Sequence, residues 1–243
     1  MNLRSFGLTM TVCALSLVIS GCGKFPAKPE PPAERPDQVV GFATLYQQNC
    51  AACHGVGGKN GAAVSLANPV YLAIAGQDAI QKATAKGVLG TLMPAFAKGQ
   101  GGMLTDQQIA ILAKGMESAW AKPLSFQGQP VPPYTNTSPG DVMQGQQAFS
   151  TFCVSCHGTD GSRINTKQIA TGSLVDPAYL ALISDQGLRT LIIAGQPEEG
   201  MPDWRSDLSG PGSRAMTDKE ITDIVAWLAS HRVGAPGQPY AHP

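Results

Sequence analysis

The sequence predicts a helical chain built from two copies of one unit, and three observations carry that reading. Landmark residues recur in the same order at a spacing of about 108 residues. Two segments open on a Thr, place Gln or Glu three positions later and continue with apolar residues at helical spacing. The 28 Gly and 19 Pro scattered through 243 residues imply many turns and disfavour a large regular sheet.

Composition narrows the function. Charged residues make up 14% of the chain, against about 25% in an average globular protein. Lys plus Arg and Asp plus Glu are both 17, so the net charge is zero. That balance argues against nucleic acid as the main partner, because phosphate binding needs a basic surplus. Seven Phe, three Trp and five Tyr are few for two self-sufficient cores. Six Cys remain as the informative residues.

Residues 1–21 read as an export signal: Arg4 supplies the positive start, and the apolar stretch from Phe6 to Ile19 is short of the roughly 20 residues that span a bilayer. The stretch ends in Leu17-Val18-Ile19-Ser20-Gly21-Cys22, which resembles a bacterial lipoprotein signal with Cys22 as the lipidated new N-terminus. Cys13 leaves with the signal. Residues 22–40 are Pro-rich; Pro lacks the amide donor and fixes φ, so this segment is expected to be a semi-extended tether. The expectation is a chain anchored by lipid on the periplasmic side of a membrane without spanning it.

The other four Cys form two identical patterns, Cys50-Ala51-Ala52-Cys53-His54 and Cys153-Val154-Ser155-Cys156-His157, each followed by Gly. Two thiols one helical turn apart can each bond a haem vinyl group, and the adjacent His then faces the iron. The repeat extends further. Asn68-Pro69-Val70-Tyr71-Leu72 echoes Asp176-Pro177-Ala178-Tyr179-Leu180, and each Pro stands 24 residues before a Met-Pro, Met93-Pro94 and Met201-Pro202. Thr105-Asp106-Gln107-Gln108-Ile109 echoes Thr217-Asp218-Lys219-Glu220-Ile221. A zinc or disulfide framework would explain the Cys pairs but neither the adjacent His nor the repeated Met-Pro.

On these residues the chain resembles the class I cytochromes c, as a two-haem protein with tandem domains. The resemblance covers roughly residues 41–121 and 141–233. It implies an all-α fold, two tandem cytochrome c-like domains joined by a Pro-rich linker at 122–140, with a tail at 234–243. It implies two covalently bound haem c groups, held through Cys50 and Cys53 and through Cys153 and Cys156. The iron axial ligands would be His54 with Met93 and His157 with Met201, because the family places its axial Met in such a Met-Pro loop. Met103 and Met116 in the first domain and Met216 in the second are the rival thioethers. His231 and His242 are the remaining His, and His231 more simply complements a helix C-terminus. The family also has a Pro carbonyl accept from the proximal His; Pro69 and Pro177 are the candidates. Tyr71 and Tyr179 are expected at the ring edge, and Phe96 and Trp204 as walls of the haem pockets.

Element by element, the first helix of each unit runs into its Cys pair, with Phe42, Leu45 and Tyr46, then Ala148, Phe149 and Phe152, facing inward. The closing helices begin at Thr105 and Thr217 and bury Ile109, Leu112, Ala113 and Met116, then Ile221, Ile224, Val225 and Leu228. The family crosses its first and last helices on a Gly against an aromatic. The second unit has Gly145 and Trp227 in those places, whereas the first has Phe42 and Gly115, so the large and small partners are expected to be exchanged. Five Pro between 122 and 140 suggest relative domain motion.

The resemblance implies transfer of single electrons between redox protein partners, or within a membrane oxidoreductase complex, respiratory or photosynthetic. It implies no catalytic residue, no small-molecule substrate and no enzyme activity of the chain's own. The alternatives are a two-haem peroxidase and a cytochrome subunit of a periplasmic dehydrogenase. Residues 41–121 carry five Lys against three acids, and 141–233 seven basic against eleven acidic residues. Glu198 and Glu199, just before Met201, are therefore expected to form a docking surface for a basic partner.

Overall fold

The computed structural model describes residues 34–136, 138–162, 172–206 and 214–234. The signal segment, Cys13, Cys22 and most of the tether lie outside the described residues, as do the tail beyond 234 and His242. Among the described residues the fold is helical, with only two isolated bridges and no strand. No described helix is long and apolar enough to cross a membrane.

The first half contains α1 (Phe42–Asn49), α2 (Ala51–His54), α3 (Pro69–Lys86) and α4 (Asp106–Trp120). The second contains α5 (Val142–Phe152), α6 (Val154–His157), α7 (Pro177–Leu182), α8 (Asp185–Ala194) and α9 (Asp218–Ala229). The two halves repeat. Helix α3 breaks at Gly76 (φ 68°, ψ 171°), which makes its two pieces the counterparts of α7 and α8. Pro69 and Pro177 each occupy the first helical position, where a missing N–H costs nothing. Asn68 and Asp176 cap these helices, Asn68 by accepting from the Val70 and Tyr71 N–H groups and Asp176 by accepting from the Tyr179 N–H.

Both closing helices start with a complete capping box. Thr105 Oγ1 accepts from the Gln108 N–H at 3.2 Å while Gln108 Oε1 accepts from the Thr105 N–H at 3.0 Å. Thr217 and Glu220 repeat the exchange. The apolar faces expected of α4 and α9 are buried throughout, from Ile109 to Met116 and from Ile221 to Leu228. These faces bury much of the apolar surface that offsets the entropy of folding.

The helix crossings use exchanged partners. A Cβ added at Gly115 would overlap the Phe42 ring. Trp120 then closes over Phe42 and Tyr46, edge-on, with ring centroids at 5.5 and 4.9 Å. At Gly145 a Cβ would overlap the Asp223 carbonyl and lie 2.8 Å from Trp227 Cβ, and Trp227 packs on Phe149 at 4.4 Å.

The segment 122–140 differs from the mobile linker its Pro content suggests. Its described residues form no helix or strand, but they are fastened to the second domain. The buried Arg189 guanidinium donates to the Pro133 and Tyr134 carbonyls and to Thr222 Oγ1, and pairs with Asp218. Gln186 donates to the same Tyr134 carbonyl, Arg205 to the Ser125 carbonyl, and the Phe126 ring packs against Trp204 at a tilt of 51°. Pro-rich chain has carbonyls without matching N–H groups, and these side chains satisfy them. The Tyr134 ring meets Tyr71 of α3 edge-on at 6.3 Å, so the linker is packed between the domains. At the other end, Gln108 Nε2 donates to the Pro36 and Val39 carbonyls, holding residues 36–39 against α4.

Candidate haem sites

Each Cys-x-x-Cys-His motif forms a single helical turn. Cys50 and Cys153 are the N-caps of α2 and α6, and His54 and His157 are the last residues of those turns. Cys53 and Cys156 therefore lie one turn after their partners on the same short helix. All four thiols are free. Burial, and secondarily the neighbouring Cys53, pushes the Cys50 thiol up to about 11. Burial and Cys156 push Cys153 up to about 12. Both are thus neutral thiols at ordinary pH rather than thiolates. Among the described residues no group of three or more His, Cys, Asp and Glu converges to hold a metal ion.

His54 is 7% exposed, and its Nδ1 lies 2.8 Å from the Val64 carbonyl oxygen, which can only accept. That bond places the ring proton on Nδ1 and leaves Nε2 with its lone pair for iron. The acceptor is Val64 rather than the expected Pro69. The Pro69 carbonyl sits in the first turn of α3, where it serves the helix, whereas Val64 lies in the irregular loop between α2 and α3. The segment 163–171, which would supply the equivalent for His157, lies outside the described residues. Burial lowers the His54 imidazole pKa, which the Val64 bond partly opposes. Tyr46 Oη donates to the Gly55 carbonyl and ties down the chain just after His54.

Met93 and Met201 are both half-buried, each in a loop that follows a glycine helix cap. Gly87 and Gly195 stand six residues before their Met, with φ 68° and 66° and nearly identical extended ψ. A side chain at Gly87 would lie 2.7 Å from the Met93 oxygen and the Pro94 carbonyl carbon. One at Gly195 would lie 2.6 Å from the Pro202 carbonyl atoms. These positive-φ glycines let the helix end press directly on the Met-Pro backbone. They match across the repeat at Pro69 plus 18 and Pro177 plus 18 and were legible there as a further pair of landmarks. The rival thioethers are placed differently. Met116 and Met216 are core residues at 1% and 7% exposure, and Met103 lies on the surface. His231 Nδ1 donates back to the Trp227 carbonyl at the end of α9.

The aromatic residues expected around the haem are divided. Trp204 is fully buried under the Arg205 guanidinium, and its indole Nε1 has no hydrogen-bond partner among the described residues. A buried N–H is costly to leave without an acceptor, and residues 207–213, which follow Trp204 in the chain, lie outside the described residues. Tyr71 instead meets Tyr134 at the domain junction. Free thiol pairs on single helical turns and an imidazole held by its Nδ1 together fit a covalently attached porphyrin.

Comparison with known proteins agrees. A family model for "Cytochrome C oxidase, cbb3-type, subunit III" matches residues 38–114, and one for "Cytochrome c" matches residues 142–232. The chain is 28% identical over 185 residues to the cbb3-type cytochrome c oxidase subunit FixP of Sinorhizobium medicae, an alignment covering 71% of this chain and 56% of that protein. It is 26% identical over 197 residues to the cbb3-type cytochrome c oxidase subunit FixPc of Rhizobium leguminosarum bv. viciae, covering 77% and 60%. The chain thus spans less than two thirds of the length of these curated relatives. A solved chain of the Kuenenia stuttgartiensis reducing HAO-like protein complex is 16% identical with a TM-score of 0.44, covering 79% of this chain and 96% of its own. The two matched families occupy the two halves of the duplication in order, and the chain belongs to the c-type cytochromes as two cytochrome c domains in tandem, with two covalently bound haem c groups as its cofactors.

Proposed function

We propose that this chain passes single electrons through two haems held off a membrane surface, as a subunit of a respiratory oxidoreductase complex. Cys50 and Cys53 anchor the first haem and Cys153 and Cys156 the second. His54 and Met93 would hold one iron, and His157 and Met201 the other. The observation that carries this reading is the identical placing, in both halves, of a His at the end of a Cys-bearing turn and a Met-Pro loop pressed by a positive-φ glycine.

The haem iron supplies the one-electron couple. The protein residues set how it works. Val64 fixes the His54 ring and makes its Nε2 a better donor. A thioether ligand from Met93 or Met201 beside the imidazole would favour ferrous iron and raise the potential. With an imidazole and a thioether both held for each iron, no position would remain open for a small-molecule substrate, and the chain would act as a carrier with no catalytic residue. Cys22 carries the lipid and the tether holds the haem domains on the periplasmic side. The names of the relatives support assembly with a cbb3-type oxidase. Glu198 and Glu199, on a short exposed turn just before Met201, give the second domain an acidic face for a basic partner.

A reduced-minus-oxidised spectrum of purified protein, with mass spectrometry of the denatured chain, tests this. Two haems surviving denaturation and a far-red band in the oxidised form are expected. A colourless chain, or a haem count unaffected by Cys53→Ala and Cys156→Ala, overturns it.

A further inference from the structure

Asn68 belongs to the first domain but holds the second. It is 2% exposed, and every hydrogen-bonding position of its side chain is used. Oδ1 accepts from the Val70 and Tyr71 N–H groups at 2.8 and 3.1 Å, capping α3. Nδ2 donates across the domain junction to the Ala194 and Gly195 carbonyls at 3.0 and 3.2 Å. Those are the final carbonyls of α8, which lack helical partners of their own. The repeat shows that this is a special use of the position. Asp176, the counterpart of Asn68, caps α7 and is exposed, and an ionised carboxylate has nothing to donate.

The carbonyls that Asn68 holds are one residue from the Met201 loop. Gln196 and Met201 exchange both backbone hydrogen bonds, at 2.9 and 3.1 Å, and the Gly195 backbone rests against Pro202. A cavity of about 800 Å³ at the junction is lined by Asn68, Pro69 and Val70 from the first domain and by Met201 and Pro202 from the second. Among the described residues the Met93 loop has no such external hold. The Met93 carbonyl accepts from Val88, its N–H donates to Thr91 Oγ1, and Leu89 and Leu92 beside it are exposed at 98% and 79%.

We propose that Asn68 is a positioning residue for Met201, so that the first domain completes the axial-ligand loop of the second haem. The proposal rests on the reading of Met201 as that ligand. Its mechanism is electrostatic and local: the amide donors fix two carbonyls whose positions set the start of the loop, and without them the thioether is held less firmly. Binding of the second haem's sixth ligand and docking of the two domains thereby become one event.

Asn68→Asp separates this role from helix capping. Asp caps α3 as well as Asn does, but it turns two donors into oxygens facing two carbonyl oxygens. The probe is imidazole, titrated against the oxidised two-haem protein while the far-red band is followed. In Asn68→Asp we expect imidazole to displace Met201 at least tenfold more readily and the midpoint potential of the second haem to fall, with the first haem unchanged. A capping or folding defect would do the reverse, because Asn68 lies in the first domain. Asn68→Ser, which keeps a capping oxygen and brings no charge, should shift the second haem in the same direction and by less. Measured in a Met93→Ala background, the remaining band belongs to the second haem alone. If Met201→Ala leaves that band in place, the ligand assignment fails. If Met201→Ala removes it but Asn68→Asp and Asn68→Ser leave imidazole affinity and potential unchanged, or move only the first haem, the positioning role is overturned.

Discussion

Phe42 lies over Gly115 in the first domain as Trp227 lies over Gly145 in the second, with the large residue on opposite helices of the crossing. The two glycines are nonetheless in different surroundings. Gly115 faces the near end of the Phe42 side chain, its Cγ and Cβ, whereas Gly145 faces the Asp223 backbone carbonyl. Gly145→Ala should therefore destabilise the holo-protein by about 2 kcal/mol through overpacking that the backbone cannot relieve. Gly115→Ala should destabilise by less, about 1 kcal/mol, because the helix-propensity gain offsets part of an overlap with Phe42 Cγ and Cβ that ring rotation alone does not clear. Chemical-denaturation midpoints check this, and the opposite ranking would contradict it.

Gln108 predicts a second, local effect. Its Nε2 holds the Pro36 and Val39 carbonyls while its Oε1 completes the capping box. Gln108→Glu keeps the box and loses both donors, a cost of about 1–3 kcal/mol that comes chiefly from the buried Val39 carbonyl left unpaired. Hydrogen exchange in residues 36–41 should accelerate while that of α4 stays near wild type. Equal exchange in the two proteins would show that Gln108 does not hold this segment.

Much of this arrangement was legible in the sequence. The duplicated Cys-His turns, the Thr caps, the buried stripes of α4 and α9 and the exchanged crossing all follow from residue type and spacing. What escaped is of one kind: side chains whose partners are backbone carbonyls. Val64 rather than Pro69 orients His54 because the choice depends on which carbonyl a helix has already used. Asn68 and Gln108 look like milder versions of Asp176 and Glu220 in the repeat. The amides are there because their N–H groups reach carbonyls outside their own capping motif. The Pro-rich segment reads as a free linker because its fastener, Arg189, lies about 55 residues further on and its contacts are with main chain.

Arg189 itself gives a third prediction. Its guanidinium is buried and serves Pro133, Tyr134, Thr222 and Asp218 together. Arg189→Met leaves these acceptors without a donor and should cost about 3 kcal/mol. Arg189→Lys should recover only part of that, since an ammonium cannot match the planar fork. In both variants the linker should loosen and the domains separate, seen as a larger radius of gyration in small-angle scattering. An unchanged radius in Arg189→Met would mean that the Tyr71–Tyr134 and Asn68 contacts suffice to hold the joint.

The capping boxes differ in their response to acid. Hydrogen bonding from Arg214, aided by Thr217, holds the Glu220 carboxyl at about 2 in the folded chain, well below its ordinary 4.5. A depressed folded value means that the ionised group stabilises the fold above the unfolded value, and that this contribution disappears as the pH falls towards 2. The side chain is partly open to water, so screening reduces the effect to about 1 kcal/mol. Gln108, at the same place in α4, has no proton to gain. On acidification between about pH 5 and pH 2, amide exchange at the start of α9 should rise while the start of α4 holds, apart from any global loss of structure. Glu220→Gln should remove this difference and, by losing the Arg214 pair, start from a slightly weaker α9. Simultaneous fraying of both helix starts in the wild type would show that Glu220 does not govern the response of α9 to acid.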